Sequence, residues 1–142
     1  MRGWHRSAFR RYEKFWNRLK ATGKEVIFMV DGCMDAYADD IFACGARGII
    51  SEPFTDYKAI ARKHENGFLA GEGDNRILMR NNPDKICAMV EDMVKTAYMA
   101  DGYMMSVGNR IPRNVPPRRS RATRTCWPNR PIAESRHNAH TP

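Results

Sequence analysis

Asp31, Glu52, Asp74, Arg76, Asn109 and Arg110 are the residues of this 142-residue chain whose type and placement suit chemistry. Each closes or follows a short apolar run: VIFMVDG at 26–32, GIISEP at 48–53, FLAGEGDNR at 68–76 and YMMSVGNR at 103–110. Asp74 and Arg76 can hold a polar or carboxylate-bearing substrate, the guanidinium acting as a two-pronged clamp. The same pair can instead close on itself and shape its loop. Glu52, before Pro53, reads as an acid at the same edge or as a carboxylate favoured at a helix start. Asn109 offers an amide hydrogen bond, and Arg110 beside it is a second cation or a solvated one. No catalytic residue can be assigned.

The other reactive residue types carry less. Cys33, Cys44, Cys87 and Cys126 show neither CxxC nor Cys…His spacing. Free thiols in a reducing cytosol are therefore expected, not a disulfide framework or a zinc finger. His64, in ARKHENG, sits where a helix ends and suits its C-terminal dipole. GEGD at 71–74 is too short and too acidic for a phosphate loop, and neither GxGxxG nor GxxxxGK[ST] occurs. Met89, Met93, Met99, Met104 and Met105 fall at core spacing and read as filling.

The elements that must position the polar residues follow a repeating grammar. Trp4, Ala8, Phe9, Tyr12, Phe15, Trp16 and Leu19 recur at three- and four-residue spacing, one face of a helix that Gly23 stops. Val26 to Val30 is apolar on both faces, as a buried parallel strand should be. Helical spacing over Met34 to Ala43 follows, then a strand at Gly48 to Ile50. Thr55 or Asp56 can cap the next helix, which carries Tyr57, Ile60 and Ala61. A third strand spans Gly67 to Ala70. Asn82 before Pro83 starts another helix, and a fourth strand is expected over Tyr103 to Val107. Alternating strands and helices predict a parallel α/β sheet with right-handed crossovers. The polar residues at all four strand ends would then share one rim, where ligands bind in such folds. A flavodoxin-like sheet is the structural rival.

Composition narrows the class. No apolar run is long enough to span a membrane, and the N-terminus lacks a signal-peptide core. The formal net charge is +8. It divides as +6 over residues 1–25, −3 over 26–117 and +5 over 118–142. The mildly acidic middle argues against a nucleic-acid groove reader, while the basic end suits weak, nonspecific polyanion binding.

The order of the motifs VIFMVDG, ACGARGIISEP, NGFLAGEGDNRIL, NPDKICAMVEDMV and SVGNRIPRNVPP resembles the C-terminal half of the uroporphyrinogen decarboxylase (URO-D) superfamily. The resemblance implies a TIM-type (βα)8 barrel of which this chain supplies four units, a partial barrel over residues 1–117. Residues 118–142 then form a basic tail, disordered by composition, arising from a changed reading frame or a genuine extension. The implied activity is that of a cytoplasmic lyase of porphyrin biosynthesis, a cofactor-free decarboxylase of a carboxylate-rich tetrapyrrole or related substrate. A fragment of this kind would be inactive alone. The family's essential aspartate, tyrosine and carboxylate-binding arginine fall in the half that is not matched. The corrinoid methyltransferases of the superfamily bind zinc through H-x-C-G. Here the segment is Met29-Val30-Asp31-Gly32, and Asn109 stands where those enzymes have a further cysteine. Thioether, carboxylate and amide do not make a zinc site, so no metal is expected. The alternatives are a methyltransferase-like relative without zinc ligands, or a half-barrel assembly module. The expected partner of the half-barrel is a second copy or a separate N-terminal half.

Overall fold

A computed structural model describes residues 3–113 together with Val115 and Cys126, with side chains from residue 7 onward. The expected apolar helix face produces α1, Gly3–Lys20. Trp16 is buried, and its ring stacks with Tyr12 at 5.2 Å. Both rings pack on Phe28. The chain leaves the helix at Gly23, whose φ of 75° is the left-handed conformation glycine adopts without penalty.

Four strands follow, β1 Ile27–Met29, β2 Gly48–Ile50, β3 Phe68–Ala70 and β4 Gly102–Met104. Between them run α2 Ala38–Ala43, α3 Tyr57–Lys63, α4 Asn75–Arg80 and α5 Pro83–Ala97. The sheet order is β1-β2-β3-β4, every pairing parallel. Strands laid down in sequence order wind one way only, as in a barrel. A doubly wound flavodoxin-like sheet would reverse direction at a switch point. The fold is therefore α/β and has the form of a partial TIM-type barrel. Among the described residues no helix is long and apolar enough to cross a membrane.

Register decides which side chains face which layer. Phe28, Ile49, Leu69 and Tyr103 are cross-strand partners on one face. They enter the main core with Trp16, Ala38, Ile41, Ile60 and Ala61. The opposite face carries two rows, Ile27/Gly48/Phe68/Gly102 and Met29/Ile50/Ala70/Met104. This is the inner face of the partial barrel, and Ile27, Met29 and Met104 are 44%, 65% and 49% exposed on it. Gly48 admits the bulk of Phe68: a Cβ at position 48 would come within 2.7 Å of the Phe68 Cβ.

Two boundaries differ from the sequence expectation, and a third is decided between two candidates. Regular helix begins at Ala38 rather than Met34: residues 35–37 form a turn in which the Met34 carbonyl accepts from the Tyr37 and Ala38 N–H groups, both at 2.9 Å, while the Met34 N–H donates to Thr55 Oγ1 at 3.0 Å. Of the two expected cap candidates, Asp56 caps α3, accepting from the Ala59 N–H at 2.9 Å. β4 stops at Met104, and Val107 makes only isolated bridges to Glu72 and Gly73. Asn82 caps α5 with Pro83 in its first turn, as expected.

The cysteine expectation is corrected. Cys87 and Cys126 form a disulfide with their Cα atoms 4.9 Å apart, while Cys33 and Cys44 are free. The 39-residue separation hid the pairing. It arises because Val115 packs on Leu78 and Ile86, in a second small core whose fringe includes Cys126. Apart from Cys126, the expected tail at 118–142 lies outside the described residues.

Candidate functional site

The strand ends place Glu52, Asp74, Arg76, Asn109 and Arg110 on one rim, in contact or joined by a shared neighbour. Glu52 follows β2 and reaches the loops after β1 and β4. Its Oε2 accepts from the Gly32 N–H at 2.8 Å, and its Oε1 accepts from Asn109 Nδ2 at 3.2 Å. Asn109 Oδ1 accepts from the Arg110 N–H at 2.7 Å. Asn75 Nδ2 donates to the carbonyls of Asn109 and Arg110, at 3.1 and 3.0 Å. The loops after β2, β3 and β4 are thus stitched by two amides and one carboxylate. Asp31 lies exposed beside Gly32, at the outer end of this line.

Asp74 and Arg76 serve the loop and leave a cation exposed. Asp74 is the N-cap of α4, accepting from the Arg76 N–H at 2.8 Å. The same carboxylate accepts from Arg76 Nε at 3.0 Å and from Nη2 at 2.7 Å. These hydrogen bonds hold the Asp74 carboxyl below the usual range, against the opposing effect of its partial burial. The guanidinium lies over the Phe54 ring at 4.6 Å, a cation–π contact. Arg76 is pre-positioned by carboxylate and ring together, and its side chain is still 61% exposed. The helix α4 that it begins was not foreseen. The run NRILMR is short and lies between two loop signals, so only the Asp74 cap reveals it.

Two polar networks, one buried and one half-buried, support the rim. Ser51, Thr55 and Tyr57 form the first. Ser51 Oγ donates to the Gly32 carbonyl at 2.7 Å and lies 3.1 Å from Thr55 Oγ1. The Tyr57 hydroxyl lies 2.6 Å from the Ser51 carbonyl and 2.8 Å from the Ala70 carbonyl, and accepts from the Ser51 N–H at 3.1 Å. Burial pushes its pKa up, so it stays a donor. Glu72 centres the second network, accepting from Tyr103 Oη at 2.6 Å and Thr96 Oγ1 at 2.9 Å. Burial raises the Glu72 carboxyl, and those two hydroxyls pull it partly back. The sequence signal for both networks was faint. Tyr57 reads as a helix core residue, and Glu72 as one acid in an acidic loop.

The backbone at the rim is packed closely enough to require glycine. A Cβ on Gly71, whose φ is 99°, would fall 2.2 Å from the Ser51 carbonyl oxygen. His64 caps α3, as the sequence suggested, and also contacts Asp39 at 2.9 Å while stacking on Phe42 at 4.1 Å. It stands apart from the rim. Among the described residues no group of three or more His, Cys, Asp or Glu side chains is placed to hold a metal ion.

The rim can therefore present a fixed cation, two carboxylates and an amide to a polar ligand. No described side chain on it forms a nucleophile–base pair. Asn75 Oδ1 is buried there without a hydrogen-bond partner among the described residues. An unmet acceptor costs about 1–3 kcal/mol. None of the curated proteins matches this chain. The family model for uroporphyrinogen decarboxylase (URO-D) matches residues 2–126, which takes in residues 118–126, beyond the Pro117 at which the motif resemblance stops. With four parallel βα units carrying a polar rim, and that match covering most of its length, the chain belongs to the uroporphyrinogen decarboxylase (URO-D) family.

Proposed function

We propose that residues 1–117 are the C-terminal half of a URO-D-like barrel and that residues 118–142 are a basic tail beyond it. In this reading the rim is one wall of a pocket for a carboxylate-rich tetrapyrrole or a related substrate, and the parent reaction is decarboxylation. The chain alone does no chemistry in this reading, because the residues that the resemblance makes essential fall in the half that is not matched. The carrying observation is the convergence of Glu52, Asp74–Arg76 and Asn109 at the ends of three adjacent parallel strands. Arg76 is the clamp for a substrate carboxylate, its guanidinium fixed in plane by Asp74 and Phe54 while its outer edge stays free. Asp31, Glu52 and Asn109 bracket the substrate's hydrogen-bonding groups, and Arg110 supplies a second cation.

The test supplies the missing wall. The chain is co-expressed with the N-terminal half of a URO-D family barrel, and binding of a stable oxidised tetrapyrrole carrying several carboxylates is followed by fluorescence. Arg76→Ala should weaken binding roughly tenfold or more, the value of one charge-assisted hydrogen bond. No binding by the completed barrel, or binding indifferent to Arg76→Ala, refutes the proposal.

A further inference from the structure

The large exposed apolar side chains include a set placed where an eight-strand barrel would continue. Ile27, Met29 and Met104 lie on the inner face. Phe15 of α1 and Tyr98 at the end of α5 are each 61% exposed. β1 and β4 are the two ends of the sheet, each with one neighbouring strand among the described residues.

We infer that two copies of this chain join about a twofold axis through the centre of the would-be barrel, β4 of each pairing in parallel with β1 of the other. This rests on the half-barrel reading above and names the occupant of the open side. Element order supports it. Every strand is preceded by its own helical cover: α1 before β1, α2 before β2, α3 before β3, and α4 with α5 before β4. In a barrel a crossover helix lies over the groove between the strand it leads into and the strand before. α1 has no preceding strand in the described chain, so it overhangs the free edge of β1. The partner's β4 fits under that overhang. Two copies then give eight strands with a cover for each groove, the number at which side chains just fill the interior.

The helix flanks agree. α1 packs toward α2 through Phe9, whose carbonyl accepts from Cys44 Sγ, and through Asn17 and Lys20, which lie against Gly45. At about 100° per residue, Phe15, Arg11 and Arg18 fall on the flank away from α2. α5 faces α3 through the Asp92–Lys58 ion pair, so Val94, Tyr98 and Glu91 fall on the flank away from α3. Closure brings these two free flanks together, Phe15 toward Tyr98 and the two arginines toward Glu91. The joint is thus apolar at its centre and opposite in charge at its margin, as a specific interface requires. Ile27, Met29 and Met104 of both copies fill the shared interior.

Sedimentation equilibrium on the full chain tests the inference. The expected mass is twice 16.3 kDa. Phe15→Glu should raise the dissociation constant tenfold or more while circular dichroism stays unchanged, since Phe15 is exposed within one copy. Glu91→Arg should weaken association, and adding Arg11→Glu and Arg18→Glu should restore it. A monomeric wild-type chain, a dimer indifferent to Phe15→Glu, or failure of the charge reversal to rescue overturns the inference. Any of those results leaves the substrate reading to its own test with a supplied N-terminal half. A rescued dimer supports the joint, whatever the outcome of the substrate test.

Discussion

Tyr57→Phe removes one oxygen from a position that ties two strand ends to α3. The hydroxyl is buried, and its single proton is shared between the Ser51 and Ala70 carbonyls at 2.6 and 2.8 Å. It also accepts from the Ser51 N–H at 3.1 Å. That N–H keeps a second partner, the Ala70 carbonyl at 3.3 Å, so the donor is not stranded. The Ser51 carbonyl does lose a buried donor. One net hydrogen bond contributes about 1 kcal/mol, and a desolvated acceptor left unpaired adds about 1–3 kcal/mol. Shared geometry puts the total near the middle of that range, about 2 kcal/mol. In urea, with a slope of about 2 kcal/mol per molar for a chain of this size, the midpoint should fall by about 1 M. Protein concentration is held constant, because the self-association inferred above would add its own stabilisation. A loss below about 0.5 kcal/mol with an unchanged slope would refute the claim that this phenol holds the ends of β2 and β3 together.

Glu72→Gln should flatten part of the stability–pH profile. Burial sets the folded pKa of Glu72 above its ordinary value of 4.5. Its stabilising contribution is therefore fully present below about pH 4.5 and is lost as pH rises through the folded pKa; an unaltered slope above that point counts against the account of a half-buried carboxylate. Cys87→Ser opens a loop whose ends are 39 residues apart, and chain entropy puts the loss at about 4 kcal/mol. Denaturation of wild type with and without reductant should reproduce that difference, and coincident curves would mean that the tie to Cys126 contributes nothing. Gly71→Ala forces a Cβ to 2.2 Å from the Ser51 carbonyl oxygen at a φ of 99°. Melting temperature should drop by many degrees, and a melting temperature equal to that of wild type would show that the strand ends are looser than drawn.

Much of the architecture could be read before any coordinates. Alternation of apolar runs with helical spacing set the four parallel units, because a strand apolar on both faces and an amphipathic crossover helix leave few other ways to bury apolar surface. Asn82 with Pro83 marked a helix start for the same local reason it forms one: the side chain satisfies the Lys85 N–H and proline has none to lose. The rim residues were legible as types. Their bonding was not, since Glu52 reaching Asn109 joins positions 57 residues apart.

What the sequence determined alone is the order of elements and the polar character of the strand ends, both consequences of periodicity and turn chemistry over a few neighbouring residues. Tertiary structure decided the rest. Asp74 and Arg76 close on each other and still leave the guanidinium exposed over Phe54, a balance set by where the loop before α3 happens to lie. Cys87 and Cys126 meet because packing around Leu78 and Ile86 brings the chain back onto α5. Glu72 becomes a half-buried carboxylate only because β4 and α5 converge on it from distant parts of the sequence. Contacts of this kind depend on distances that no local pattern encodes, so they emerge only once the sheet and its helices have packed.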